Sequence, residues 1–198
     1  LINARDAGFP LTLWICSQPW IAPAQLGADT WGGYTTERTE IANFIRDNRI
    51  ANLVLLSGDM HGHAFDDGTH SDYATGGGAP LTVLHAASLT HTGAPKGGPY
   101  VGGPILGGQQ YGLLEVFDTG GPSVACRSSG KRVGEGEKLS YIFSASAVAS
   151  SGAAMSNISM LARVTGGDDA LTSGFVISGQ TPRQVLVRAV GPSLAGFG

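Results

Sequence analysis

Apolar and polar positions mark out alternating β and α periods along the first half of the chain. Leu11, Leu13 and Ile15 alternate with Thr12, Trp14 and Cys16, the two-residue period of a strand, which stops near Ser17-Gln18-Pro19. The pattern then predicts a helix over about 36–48. Ile41, Phe44 and Ile45 share one face there, Thr35 or Thr36 can cap it, and Glu37 favours its first turn. Residues 53–57 are a short apolar run closed by Gly58, as in a central strand covered on both faces. Strand, helix, strand in this order predicts a crossover unit with parallel strands. A further strand is expected at 81–86. Strand signals at 111–117, 124–127 and 138–143, with a turn at Thr119-Gly120-Gly121, predict an antiparallel meander.

Between these elements the chain is punctuated by proline and glycine. The stretch 18–34 holds Pro19, Pro23, Gly27, Gly32 and Gly33 together with Trp20, Trp31 and Tyr34, so it reads as a long loop with aromatic content. Its rings either plug the edge of the core or shape a pocket wall. Residues 92–112 carry the pairs Gly97-Gly98, Gly102-Gly103 and Gly107-Gly108 with no Gly-Lys-Ser/Thr after them. That excludes a phosphate loop and predicts a long surface loop lying over a site. Residues 144–154 are mostly Ser, Ala, Val and Gly and read as a linker, with strands expected beyond at 158–164, 170–178 and 184–190. The expected organisation is an α/β unit at 1–143, a linker at 144–155 and a small all-β module at 156–198.

Composition narrows the class. With 42% hydrophobic and 14% charged residues the 198-residue chain can bury a core, and its 31 glycines favour tight turns over long helices. A net charge of -3 without clustered Lys or Arg gives no footprint for nucleic acid. No apolar run approaches the roughly 18 residues a membrane helix needs. The chain opens on Leu1 and runs directly into a strand pattern, which predicts a fragment of a longer protein. Cys16 and Cys126 form no metal-spaced pair; two buried free thiols are expected, with a disulfide left open.

Candidate chemistry gathers where the apolar run of 53–57 ends, at Ser57-Gly58-Asp59-Met60-His61-Gly62-His63. Ligands bind at the C-terminal ends of strands in open α/β sheets. Asp59 and His61 place a carboxylate and an imidazole there, a pairing that suits a metal ion. The same Gly-Asp step is also what an ordinary turn looks like, because Gly tolerates positive φ and Asp bonds its own backbone. His63 follows closely enough to reach a substrate oxygen. Asp66, Asp67, His70 and Asp72 read as turn residues, and His85 as a core or edge histidine.

Four blocks in order carry a family likeness: Trp14…Ser17-Gln18, then Asp29-Thr30-Trp31-Gly32-Gly33-Tyr34…Glu37-Arg38, the apolar strand, and Ser57-Gly58-Asp59-Met60-His61. Together they resemble the closing half of a PhoD-like alkaline phosphatase, with weaker likeness from Gln109-Gln110-Tyr111-Gly112 onward to residue 143. The resemblance implies part of a metallophosphoesterase sheet sandwich with a flanking helix. It implies a multi-metal site, of calcium, iron or zinc, that hydrolyses phosphate mono- or diesters. Asp59 and His61 match the family's late metal motif, His63 stands in a catalytic position, and Trp31, Tyr34 and Arg38 fall in the substrate pocket. The earlier ligands that the family supplies have no counterpart before Asp59. Residues 156–198, through Gly174-Phe175-Val176-Ile177-Ser178-Gly179 and 185–194, resemble a β repeat of bacterial surface and secreted proteins, whose partner is unknown. A secreted, periplasmic or cell-surface location follows as an expectation. The competing expectation is a non-catalytic surface β protein.

Overall fold

The structure, a computed structural model, describes residues 1–86, 88–90 and 92–147. A short helix, α1 (Ile2–Asp6), for which the sequence pattern predicts no element, precedes β1 (Thr12–Cys16). Helix α2 (Thr35–Asp47) and β2 (Leu53–Ser57) then complete the crossover, with β1 and β2 parallel. Next come β3 (Gly62–Asp66), β4 (Thr82–His85) and β5 (Gly102–Leu106), then the meander β6 (Gln110–Phe117), β7 (Ser123–Arg132) and β8 (Gly136–Ser146). Two sheets result. One is mixed, in the order β1-β2-β4-β3-β5, and the other is the antiparallel β6-β7-β8. The α/β reading of the N-terminal part is therefore met in a sheet-rich form, and the meander is where the turn signals put it. The expected small β module, and the linker beyond residue 147, lie outside the described residues.

Two stretches read as loops are strands. Gly62–Asp66 pairs antiparallel with both β4 and β5, although its polar sequence gives no apolar alternation. Gly102–Leu106 lies within the segment expected to be loop throughout. Its glycine content is a packing requirement, because a Cβ on Gly102 would stand 2.1 Å from the Phe65 ring and one on Gly103 would stand 2.4 Å from the His63 carbonyl.

The main core fills one side of the mixed sheet. Leu53, Leu55, Leu81 and Val83 pack there with Trp20, Ile21, Ala42 and Ile45, and Trp14, Trp31 and Tyr100 close the margin. Helix α2 buries Arg38, Ala42 and Ile45 and packs the partly buried Ile41 against the core, whereas Phe44, expected on the same face, is exposed. Arg38 extends the buried face. Its guanidinium donates to the Trp20 carbonyl at 3.0 Å and the Ala22 carbonyl at 2.9 Å, and stacks over Tyr73 at 3.5 Å, which draws that side of the helix inward. The two sheets meet where Phe65 stacks on Tyr141 at 4.4 Å between ring centres.

The register places the site. Cys16, Ser57 and His85 are successive partners across β1, β2 and β4, so three parallel strands end on one line. Both cysteines are free thiols, and Trp31 Nε1 donates to Cys16 Sγ at 3.2 Å.

Candidate functional site

The chain leaves β2 at Ser57, whose hydroxyl donates to the Gln18 carbonyl at 2.8 Å and fastens the exit of β2 to that of β1. After four intervening residues it enters β3. That short arc contains two non-glycine residues in the left-handed region, Asp59 at φ 57° and His61 at φ 65°, on either side of a fully buried Met60. Such backbone is uncommon outside glycine and collects at functional sites. Met60 inside the core anchors the arc, and the two polar side chains come out beside each other. Asp59 Oδ1 and His61 Nε2 are 3.7 Å apart. The left-handed backbone at both positions brings the two side chains to one side.

The second ring nitrogen of His61 settles its orientation. Nδ1 lies 3.0 Å from the Ala94 carbonyl, and because a carbonyl only accepts, Nδ1 is the donor. In the neutral ring this leaves the Nε2 lone pair directed at the Asp59 side. Histidine ligands of metals are held in this way, with the non-ligating N–H given to a carbonyl or carboxylate.

A lysine completes the cluster. Lys96 Nζ donates to Asp59 Oδ2 at 2.7 Å and to Asp29 Oδ2 at 2.7 Å, while Gln18 Nε2 donates to Asp29 Oδ1 at 3.0 Å. Asp29 and Asp59 hold the Lys96 ammonium above its ordinary pKa, and Lys96 in turn holds the Asp29 carboxyl below the usual range. The segment carrying Lys96 is strapped down on both sides. Its own N–H donates to the Met60 carbonyl at 3.3 Å, Gly98 N–H to the Ile21 carbonyl at 2.8 Å, and Tyr100 Oη to the Lys96 carbonyl at 3.0 Å. Beside it opens a shallow cleft of about 250 Å³ lined by Ala22, Pro23, Gln25, Ala28, Asp29, Thr30, Lys96 and Gly97.

The remaining candidates take other places. His63 is buried between β3 and β7, its Nε2 donating to the Lys131 carbonyl at 3.0 Å, with burial lowering its pKa. Gly130 makes room for that ring, since a Cβ there would stand 2.5 Å from His63 Cγ. Trp31 and Arg38 belong to the aromatic margin of the core, and Tyr34 is exposed at the start of α2. Asp66, read as a turn residue, is fully buried and accepts from the Gly68 and His70 N–H groups and from the His70 ring. His85 is buried behind Tyr100 with neither ring nitrogen in a well-formed hydrogen bond, and burial pushes it down to about 4.

A metal ion fits the Asp59-His61 pair. Ligand atoms at about 2.0–2.2 Å from one ion sit roughly 3–4 Å from each other, and the carboxylate and imidazole are separated by 3.7 Å. Among the described residues no group of three or more His, Cys, Asp or Glu side chains surrounds one point, so these two supply only part of a coordination shell. Sequence reasoning missed Asp29 and Lys96. Asp29 stood in view at the head of the Asp-Thr-Trp-Gly-Gly-Tyr block, while Lys96 was hidden in a stretch read only for its glycines.

Residues 9–100 match the family model described as PhoD-like phosphatase. No curated protein and no solved structure matches the chain. The matched residues run from the approach to β1 through β4 and contain Asp29, Asp59, His61 and Lys96, so the part of this chain that builds the site is the part similar to PhoD-like phosphatases.

Proposed function

We propose that this chain carries part of a metal-dependent centre for hydrolysis of phosphate mono- or diesters, with Asp59 and His61 as metal ligands. The observation that carries the reading is the pairing of Asp59 Oδ1 with a His61 Nε2 whose opposite nitrogen is tied to Ala94, inside a segment that matches the model of a phosphatase family. A divalent or trivalent cation there would offset the charge of a phosphoryl oxygen and favour attack by water.

The chain's own residues orient and hold. Met60 fixes the arc, Ala94 fixes the His61 ring, and Lys96 balances the charge of Asp59. His63 supports the fold between β3 and β7 in this reading and touches no substrate. Trp31 and Arg38 shape the wall behind the cleft, and Tyr34 offers an exposed ring near it. The likeness of residues 156–198 to a repeat of bacterial surface proteins supports a secreted, periplasmic or cell-surface setting.

The test is turnover of a chromogenic phosphate ester by the natural polypeptide containing this chain, after chelation and after metal is restored. Asp59→Asn and His61→Ala should each lower kcat more than about a hundredfold, while far-UV circular dichroism stays unchanged. Turnover that ignores the chelator, or full activity in both variants, would favour the non-catalytic surface protein instead.

A further inference from the structure

The cation closest to Asp59 in this fold is the chain's own. Lys96 Nζ bridges Asp29 and Asp59 at 2.7 Å each, and Asp59 offers one oxygen to the lysine and the other to the His61 side. We propose that Lys96 is the resident counter-charge of the site: it positions Asp59 when no metal is bound, and shifts onto Asp29 alone when a metal cation arrives. The proposal rests on the assignment of Asp59 and His61 as metal ligands.

Three features make this exchange physically reasonable. An ammonium 2.7 Å from a metal-ligating carboxylate would be repelled by a doubly charged ion in the same few ångströms. Asp29, the more exposed of the two carboxylates, is already bonded to Lys96 and is held in place by Gln18, so the displaced ammonium keeps a partner without leaving the cleft. The peptide of Lys96 is fixed independently through Met60, Ile21 and Tyr100, so only the flexible side chain has to move. Lys96 thereby lowers metal affinity. In return it keeps Asp59 from being left as an uncompensated charge beside the buried end of β2.

The experiment follows zinc binding to the full chain, by calorimetry and by the side-chain ¹⁵Nζ resonances of its three lysines, Lys96, Lys131 and Lys138. The Lys96 resonance should move as zinc is added while the other two stay. Lys96→Met should tighten zinc binding about tenfold at low salt, with the gain shrinking as ionic strength rises, and Lys96→Arg should bind like the unaltered chain. Asp29→Asn should weaken binding, since the ammonium then has no second partner. Thermal melts check that each variant is folded. Zinc binding with an unmoved Lys96 resonance and equal affinity in Lys96→Met overturns the exchange while leaving the metal site intact. Absence of zinc binding in both the unaltered chain and Lys96→Met overturns the metal assignment itself.

Discussion

His61 turns Nε2 to within 3.7 Å of Asp59 Oδ1, although both residues sit in left-handed backbone that ordinary side chains avoid. The strain is local and the core meets it through Met60, which is fully buried between them. That arrangement sets a first expectation. Asn tolerates the left-handed region and a β-branched residue does not. Asp59→Asn should therefore unfold in urea within about 0.5 kcal/mol of the unaltered chain, and Asp59→Val should lose about 1–2 kcal/mol. Equal losses in the two would show that the backbone at 59 relaxes freely.

A second expectation concerns the junction of the two sheets. The His63 ring fills the space over Gly130, where an added Cβ would lie 2.5 Å from Cγ. Gly130→Ala should destabilise by about 1–3 kcal/mol through overpacking. In a His63→Ala background the same change should cost much less, because the ring it collides with is gone. A double-mutant cycle by chemical denaturation reads this coupling, and strict additivity would mean that the two residues do not share the space.

Acid should weaken the fold through His85. Burial holds this ring neutral down to about 4, against an ordinary value of 6.5. Between those values the unfolded chain binds a proton that the folded chain refuses, so stability falls as pH drops through that window and is fully present above it. The whole effect amounts to about 3 kcal/mol. Burial lowers the His63 pKa in the same direction. Urea unfolding at pH 7 and pH 4.5 should show the loss, and His85→Leu should remove a large part of it. An unchanged pH dependence in His85→Leu would assign the acid sensitivity elsewhere.

The crossover β1-α2-β2 and the β6-β8 meander were legible because their apolar spacing and turn residues agree with the final packing. β3 was not, since Gly-His-Ala-Phe-Asp has no apolar period; it is a strand because β4 and β5 offer pairing on both sides, and Asp66 is buried because His70 and the turn after it satisfy its oxygens. The burial of Arg38 on α2 was equally hidden. Arg38, expected in the substrate pocket, is instead received by the Trp20 and Ala22 carbonyls and the Tyr73 ring. Asp59 and His61 could be picked out because a strand end followed by a carboxylate and an imidazole is a short local signal. The Lys96 bridge joins residues 67 and 37 positions away, a separation that no local spacing encodes.

The central claim is that Asp59 and His61 hold one metal ion between them. Anomalous diffraction at the zinc edge, from crystals of the chain grown with zinc, tests it most directly. The account predicts a peak about 2.0–2.2 Å from both Asp59 Oδ1 and His61 Nε2, with Lys96 Nζ withdrawn toward Asp29. Zinc bound elsewhere at full occupancy, with Asp59 and His61 left unbridged, would contradict it.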